Sequence, residues 1–282
     1  MRTSDVLSPE QAKRSEEAPA QLRAVLRRVY ESSWFAMCVT LVGILLAWYL
    51  ATEILKIPAY LLPKPIAVAT AFTTNWYMLL EETLATFREV IGGFVISVAV
   101  AIPLALLVVY SQAAERFINP LIIVSQAIPK IAIAPLFLVW FGFGEFPKML
   151  IAALIAFFPM LISATVGLKS IDPEMLNLAR AMGASATKTF WKVRLPIALP
   201  NFFAGFKLAI TFSVIGAVVG EFVGGDHGVG YLIQLASGSQ RTDLLFAGLI
   251  LLSAMGLVLF YVVEAFERKF VFWYHSQINA TM

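Results

Sequence analysis

The segment "NLARAMGASATKTFWKVRLPIALPN", residues 177–201, sets four cations (Arg180, Lys188, Lys192 and Arg194) among helix-forming residues, a central glycine and two prolines. The chain around it reads as hydrocarbon: of 282 residues, 60% are hydrophobic and only 14% charged. A soluble domain carries about 25% charged residues. A stretch this polar does not belong in lipid, so it separates membrane helices, and its boundaries decide where the neighbouring spans begin and end.

Outward from this segment, apolar runs of roughly 20 residues, the length that crosses a bilayer, recur along the chain. They predict an all-α polytopic membrane protein with about six transmembrane helices over residues 34–55, 88–110, 117–141, 148–168, 199–222 and 244–266. Residues 1–33 are polar and form an N-terminal segment, with "LRAVLRRVYESS" (22–33) as a short surface helix or a tail. No cleavable signal peptide fits, because the first apolar run starts near Trp34 without a small-residue cleavage site. Between the first two spans, "KIPAYLLPKPIAVATAFTTNWYMLLEET" (56–83) reads as an external connector in which Pro63 and Pro65 disfavour a continuous helix.

Orientation follows from the flanking cations. With the N-terminus inside, the inner segments hold Arg2, Lys13, Arg14, Arg23, Arg27, Arg28, Arg116, Lys169, Arg180, Lys188, Lys192, Arg194, Arg268 and Lys269. The outer side holds Lys56, Lys64, Arg88, Lys148 and Arg241, while Lys130 and Lys207 fall within spans. This bias predicts that both termini and the 169–198 loop are cytoplasmic.

Several chemistries are excluded early. The single Cys38 lies in an apolar run, so neither a disulfide framework nor a thiolate metal site is expected. His227 and His275 are the only histidines, too few for a clustered metal site. The net charge of +3 is small, and nucleic acid is not an expected partner. No G-x-x-x-x-G-K-[ST] phosphate loop occurs. The stretch "GGDHGVG" (224–230) lacks the Lys-Ser/Thr of such a loop and reads as a tight external turn using the φ freedom of glycine.

Within the polar loop, "SIDPEMLNLARAMGAS" (170–185) carries a helix start: Asp172 as N-cap, Pro173 at the first position and Glu174 at the positive dipole end. Leu176, Ala179 and Met182 recur at helical spacing as a short apolar face, with Leu178 and Ala181 alongside. Gly183 stops that helix and Ser185 caps a second, "ATKTFWKV", before Pro196 and Pro200 bracket the start of span five. Two amphipathic helices meeting at a glycine suit either an interfacial connector resting on lipid or a docking element for a soluble partner.

The segment resembles the cytoplasmic signature of binding-protein-dependent ABC importer permeases, E-A-A, three residues, G, nine residues, I, one residue, L-P. Here Gly183 is followed after nine residues by Val193, Arg194 and Leu195-Pro196, and Ala179 takes the last E-A-A position. Asn177 and Leu178 replace the first two, and Glu174 supplies an acidic residue one turn earlier. The resemblance extends over roughly residues 82–266. It includes "IPKIAIAPLFLVWFGFGEFPKM" (128–149), "FFPMLISATVGL" (157–168) and "GEFVGGDHGVGYLI" (220–233), which are similar to the branch importing sulfonates, taurine, nitrate and heteroaromatic or vitamin precursors.

The resemblance implies a type I ABC importer permease-like fold. In domain terms it implies a first transmembrane helix and external connector (34–81), a permease core (82–266) and a cytoplasmic tail (267–282). The 169–198 loop becomes the coupling element, with Glu174, Leu176, Ala179, Arg180, Met182, Gly183, Ala184, Leu195 and Pro196 contacting an ATP-binding cassette ATPase. The implied protein is a transport subunit and not an enzyme, in a bacterial inner membrane. It binds no cofactor itself, ATP and Mg belonging to the ATPase. Its expected partners are two ATPase subunits, a solute-binding protein, lipid and a second permease copy in a homodimer. The absence of an internal repeat points the same way, towards a pathway between two subunits.

Candidate pathway residues are Ser125, Gln126, Lys130, Trp140 and Glu221. Lys130 sits near the middle of span three between Pro129 and Pro135, where a lone cation exposed to lipid would cost about 2.5–3.5 kcal/mol. It therefore faces a cavity, a carbonyl cluster or an acidic partner, or snorkels at a broken helix. Lys207 is close enough to the cytoplasmic end to snorkel. Glu221 ends span five near the outer face, as an interfacial carboxylate or a gate. Trp140, with Phe141 and Phe143, reads as an aromatic belt or a stacking surface. Gly216, Gly220 and Gly224 share one face of span five, for packing within the subunit or against a second one. The alternative class, an ion-coupled secondary transporter or channel, needs ionisable residues at depth, and the pattern offers only Lys130 and no mid-span Asp or Glu.

Overall fold

A computed structural model describes residues 33–273, and among them all regular structure is helical. The expected N-terminal segment, the end of the tail with His275, and both termini lie outside the described residues, as does the side chain of Cys38. The chain divides into two units at residues 67 and 68.

The first unit contains α1 (Ser33–Ile54) and the turn that follows it. Trp48 Nε1 donates to the Pro63 carbonyl at 3.0 Å, and Lys64 pairs with Glu53 at 2.6 Å, folding the proline-rich stretch back towards the end of α1. Helix α2 (Pro65–Thr74) starts on a proline, which is favourable at a helix's first position. The connector is thus partly helical. Pro65 opens a helix there instead of interrupting one.

The second unit is a helical bundle centred on α6. In chain order it contains α3 (Trp76–Tyr110), α4 (Gln112–Ala127), α5 (Lys130–Phe141), α6 (Glu145–Lys169), α7 (Pro173–Ala181), α8 (Ala186–Thr189), a π-helical turn (Phe190–Arg194), α9 (Leu195–Gly224), α10 (Val229–Gly238) and α11 (Thr242–Phe270). Among the described residues, four helices are long and apolar enough to cross a membrane: α3, α6, the continuous stretch Ala186–Gly224, and α11. Helices α4 and α5 qualify only as a pair, bent by 98° at their junction. Helix α1 runs for 22 residues, Ser33–Ile54, along the expected first span at 34–55.

The expected boundaries change in three places. Span three is two helices and not one rod, because Pro129 removes the amide that would continue α4 and biases Ile128 away from helical geometry. Span two begins at Trp76, twelve residues before its expected start: Glu81, Glu82 and Thr83, expected in the connector, occupy helix α3. Span five begins at Ala186, since the second loop helix runs into it through the π turn. Pro196 has no N–H to bond back one turn, and the preceding turn is widened, with the Leu195 amide donating to the Phe190 carbonyl.

Between apolar helices in lipid, association depends on close van der Waals approach, and small residues supply it. Helix α6 packs along both α3 and α9, with Ala152 wedged between Gly93 and Gly216. A Cβ at Gly216 would sit 2.5 Å from Ala152 Cα, one at Gly220 3.1 Å from Lys148 Cβ, and one at Gly224 would meet Leu138 of α5. The glycine face of span five therefore packs within the subunit. Below it, Ala156, Met160, Leu161 and Ala164 of α6 meet Ala101 and Ala105 of α3 and Ala198, Phe202 and Ala209 of α9.

This packing sets two glycine substitutions against each other. Gly256→Ala in α11, where a Cβ meets nothing within 4 Å, should stabilise by about 0.5–1 kcal/mol through helix propensity. Gly216→Ala should destabilise by about 1–3 kcal/mol through overpacking against backbone. Thermal unfolding in detergent would show shifts of opposite sign, and two equal shifts would refute the wedge.

Candidate functional site

Helix α7 forms because its ends are chemically specified. The Asp172 carboxylate accepts the Glu174 amide at 2.9 Å, and Pro173 fills the first turn. At the other end the Gly183 N–H donates to Arg180 O at 2.9 Å and the Ala184 N–H to Ala179 O at 3.0 Å. Gly183 adopts φ +74°, the left-handed conformation that closes a helix C-terminus. Ser185 then caps α8 by accepting the Lys188 amide at 3.3 Å.

Orientation of the apolar side chains differs from the periodicity reading. Leu176 and Ala179 are half-buried, while Leu178 is 61% and Met182 78% exposed, with Met175 beside them. The outward ridge of α7 is therefore Met175, Leu178 and Met182. A nine-residue helix shows too few turns for periodicity to tell which of two adjacent apolar faces the body covers. Glu174 and Arg180 are exposed, and Ala184, Leu195 and Pro196 half-buried at the base. Trp191 is exposed beside Phe190, its ring edge-on at 5.3 Å. Two contacts tie this end to the bundle: Lys169 with Glu115 at 2.5 Å, and the Arg194 guanidinium over the Tyr110 ring at 4.8 Å.

Where α4, α5, α6 and α9 meet, an open cavity of about 340 Å³ is lined by Lys130, Ile155, Phe158, Pro159 and Phe212, with Gln126, Ile131, Ile162 and Ile215 exposed at its rim. The Lys130 ammonium stands 5.0 Å from the Phe158 ring centroid. Phe158 is near the midpoint of the 25-residue α6, so Lys130 is at depth. Gln126 lines the same cavity, but Ser125 donates to the Ile122 carbonyl of its own helix at 2.7 Å. Trp140 projects outward at the far end of α5, 63% exposed.

The remaining candidate, Glu221, lies near the end of α9 and is not exposed. It is fully buried together with Glu89 of α3 and Lys148 of α6. Lys148, expected among the outer cations, is thus a buried residue, and Glu89 is its buried carboxylate. The Lys148 ammonium pairs with Glu89 at 2.7 Å and donates to the His227 carbonyl at 3.1 Å. Thr86 donates to Glu221 at 2.6 Å and accepts the Val229 amide at 2.8 Å. The Gly230 amide donates to Glu221, and the Gly228 amide to Glu82.

The Gly-rich loop thus does cradle anions with its backbone, but they are the chain's own carboxylates. Gly228 has φ +114°, and a Cβ at Gly230 would lie 2.5 Å from the Glu221 carboxylate. Sequence reading missed Glu89 because one charge in a polar helix start looks like a flank. Its spacing of three from Thr86, on one helix face, was the available signal. Among the described residues no group of His, Cys, Asp and Glu is arranged to hold a metal ion.

Residues 93–272 match the family described as binding-protein-dependent transport system inner membrane component. The riboflavin transport system permease protein of Chloroflexus aurantiacus is 37% identical over 237 residues, 83% of this chain and 88% of that protein. The formylaminopyrimidine transport permease protein of Halalkalibacterium halodurans is 31% identical over 235 residues, 83% of this chain and 94% of that one. Among solved structures, an inward-facing MetNI methionine ABC transporter chain superposes with TM-score 0.61 at 18% identity, covering 70% of this chain and 98% of that one, a likeness of fold.

Proposed function

We infer that this chain works as the membrane subunit of an importer, since it belongs to the family of binding-protein-dependent transport system inner membrane components. It is a multi-pass permease subunit of an ABC importer, a transport subunit with no catalysis of its own, similar to the branch that serves sulfonates and pyrimidines. From that premise we propose that two copies form the pathway, that an external binding protein delivers the solute, and that two ATP-binding subunits holding ATP and Mg power alternating access from the cytoplasmic side. The 169–198 loop is the coupling element. The solute is a sulfonate, nitrate, taurine or a heteroaromatic or vitamin precursor.

One observation carries this reading. The loop's second half, Ala186–Thr189 and the π turn, is continuous with the membrane helix that ends at Gly224. A force applied to α7 and Ser185 therefore acts on a single 39-residue lever. The protein's work is then differential stabilisation of two conformations by ATP-driven closure of its partners.

The test is reconstitution. The full chain with co-purifying ATP-binding subunits in liposomes should accumulate solute only with ATP and binding protein. Gly183→Asp, which places a side chain where φ is +74°, should abolish the co-purification. Gradient-driven uptake by the chain alone would sink the reading in favour of a secondary transporter.

A further inference from the structure

Lys130, Lys148 and Lys207 all lie in membrane helices of the second unit, and the structure treats them differently. Lys148 meets Glu89 at 2.7 Å, and Lys207 meets Glu267 at 2.6 Å, both carboxylates almost fully buried. Lys130 makes no ion pair or hydrogen bond to any described residue. The residue is half-buried, with its ammonium over the Phe158 ring, at the depth where a charge is most costly to leave unneutralised. The cavity it occupies, about 340 Å³, falls at the small end of solute-sized pockets.

The other walls narrow the chemistry. No carboxylate lines the cavity, so a cationic solute would meet the Lys130 charge with nothing to offset it. Phe158 and Phe212 present ring surface, Ile155 and Ile215 apolar bulk, and the Gln126 amide is the one further polar side chain. Pro159 leaves the Ile155 carbonyl without its helical donor, which adds an acceptor at the same level. A group that pairs with an ammonium, joined to a flat or apolar body, complements these features.

We propose that this cavity is the anion-recognition site of the chain, in which Lys130 pairs with the sulfonate or carboxylate of a small organic anion whose body packs on Phe158 and Phe212. The proposal rests on the importer reading for its meaning, as the point where the delivered solute is held during translocation. It narrows that reading from a broad set of solutes to anions. An anionic lipid headgroup shares the chemistry and is separated by the test.

Equilibrium binding to the purified full chain in detergent would use benzenesulfonate and its uncharged isostere benzenesulfonamide. The sulfonate should bind at least tenfold more tightly, Lys130→Gln should erase that preference, and Lys130→Arg should keep it within about threefold. Equal binding of the two probes by the unmodified chain, or no binding of either, overturns the proposal without any variant having to fold. Displacement of benzenesulfonate by phosphatidylglycerol, with lipid retention lost in Lys130→Gln, makes the site a lipid site and overturns the solute form. ATP-driven uptake by a chain without charge preference removes this inference and keeps the importer. Charge preference without ATP-driven uptake does the reverse.

Discussion

Lys148→Met is expected to destabilise the protein by about 3–5 kcal/mol, the cost of stranding buried carboxylates after their cation is removed. Lys148 is 1% exposed and Glu89 0%, so water cannot replace the lost ammonium. The same change removes the donor to the His227 carbonyl, loosening the 225–230 loop, in which the Gly228 amide holds Glu82 and the Gly230 amide holds Glu221. Thermal unfolding in detergent and the yield of folded protein from membranes would both report it. Replacing both partners, Glu89→Gln with Lys148→Met, should recover much of the loss, because a neutral pair needs no counter-charge. Stability of Lys148→Met equal to the unmodified chain would show the network to be without structural weight. Thr86→Val should behave as a weaker version, costing about 1–3 kcal/mol for each group it leaves without a partner.

Leu178→Asp combined with Met182→Asp is expected to reduce ATP-dependent uptake at least a hundredfold while leaving the fold intact. Both side chains point away from the body at 61% and 78% exposure, so neither is needed for packing. An apolar ridge on a short helix docks by filling a groove, and two carboxylates in that groove would be desolvated without partners. The measurement pairs uptake with co-purification of the ATP-binding subunits, and both should fall together. The matching change at Leu176, which is half-buried, should instead lower the unfolding midpoint. If the Leu178 and Met182 double variant transports normally, the ridge is not the docking surface and the loop is a connector.

The caps of α7 are legible from sequence because each is made within one turn. Asp172 reaches Glu174, Gly183 reverses the chain, and Ser185 reaches Lys188 without help from the rest of the fold. Span positions are legible for a similar reason: hydrocarbon selects apolar runs of fixed length wherever they stand. The bend at Ile128–Pro129 is half legible. Proline announces a break, but its 98° angle depends on what α4 and α5 pack against.

What the sequence by itself determined is the class of molecule: a membrane helix bundle interrupted by one capped, cation-rich loop, with no nucleotide-binding loop of its own. What only the tertiary structure decided is how its charges are answered. Lys148 and Glu89 are 59 positions apart, and Gly228 and Glu82 are separated by 146. They meet because Gly93, Gly216 and Gly220 let α3, α6 and α9 approach closely enough to enclose them. The same packing leaves Lys130 over Phe158 with no carboxylate in reach. A periodic pattern can say that a lysine is in a helix. Whether it is neutralised depends on the neighbour across the interface, and that neighbour is set by where small residues allow contact.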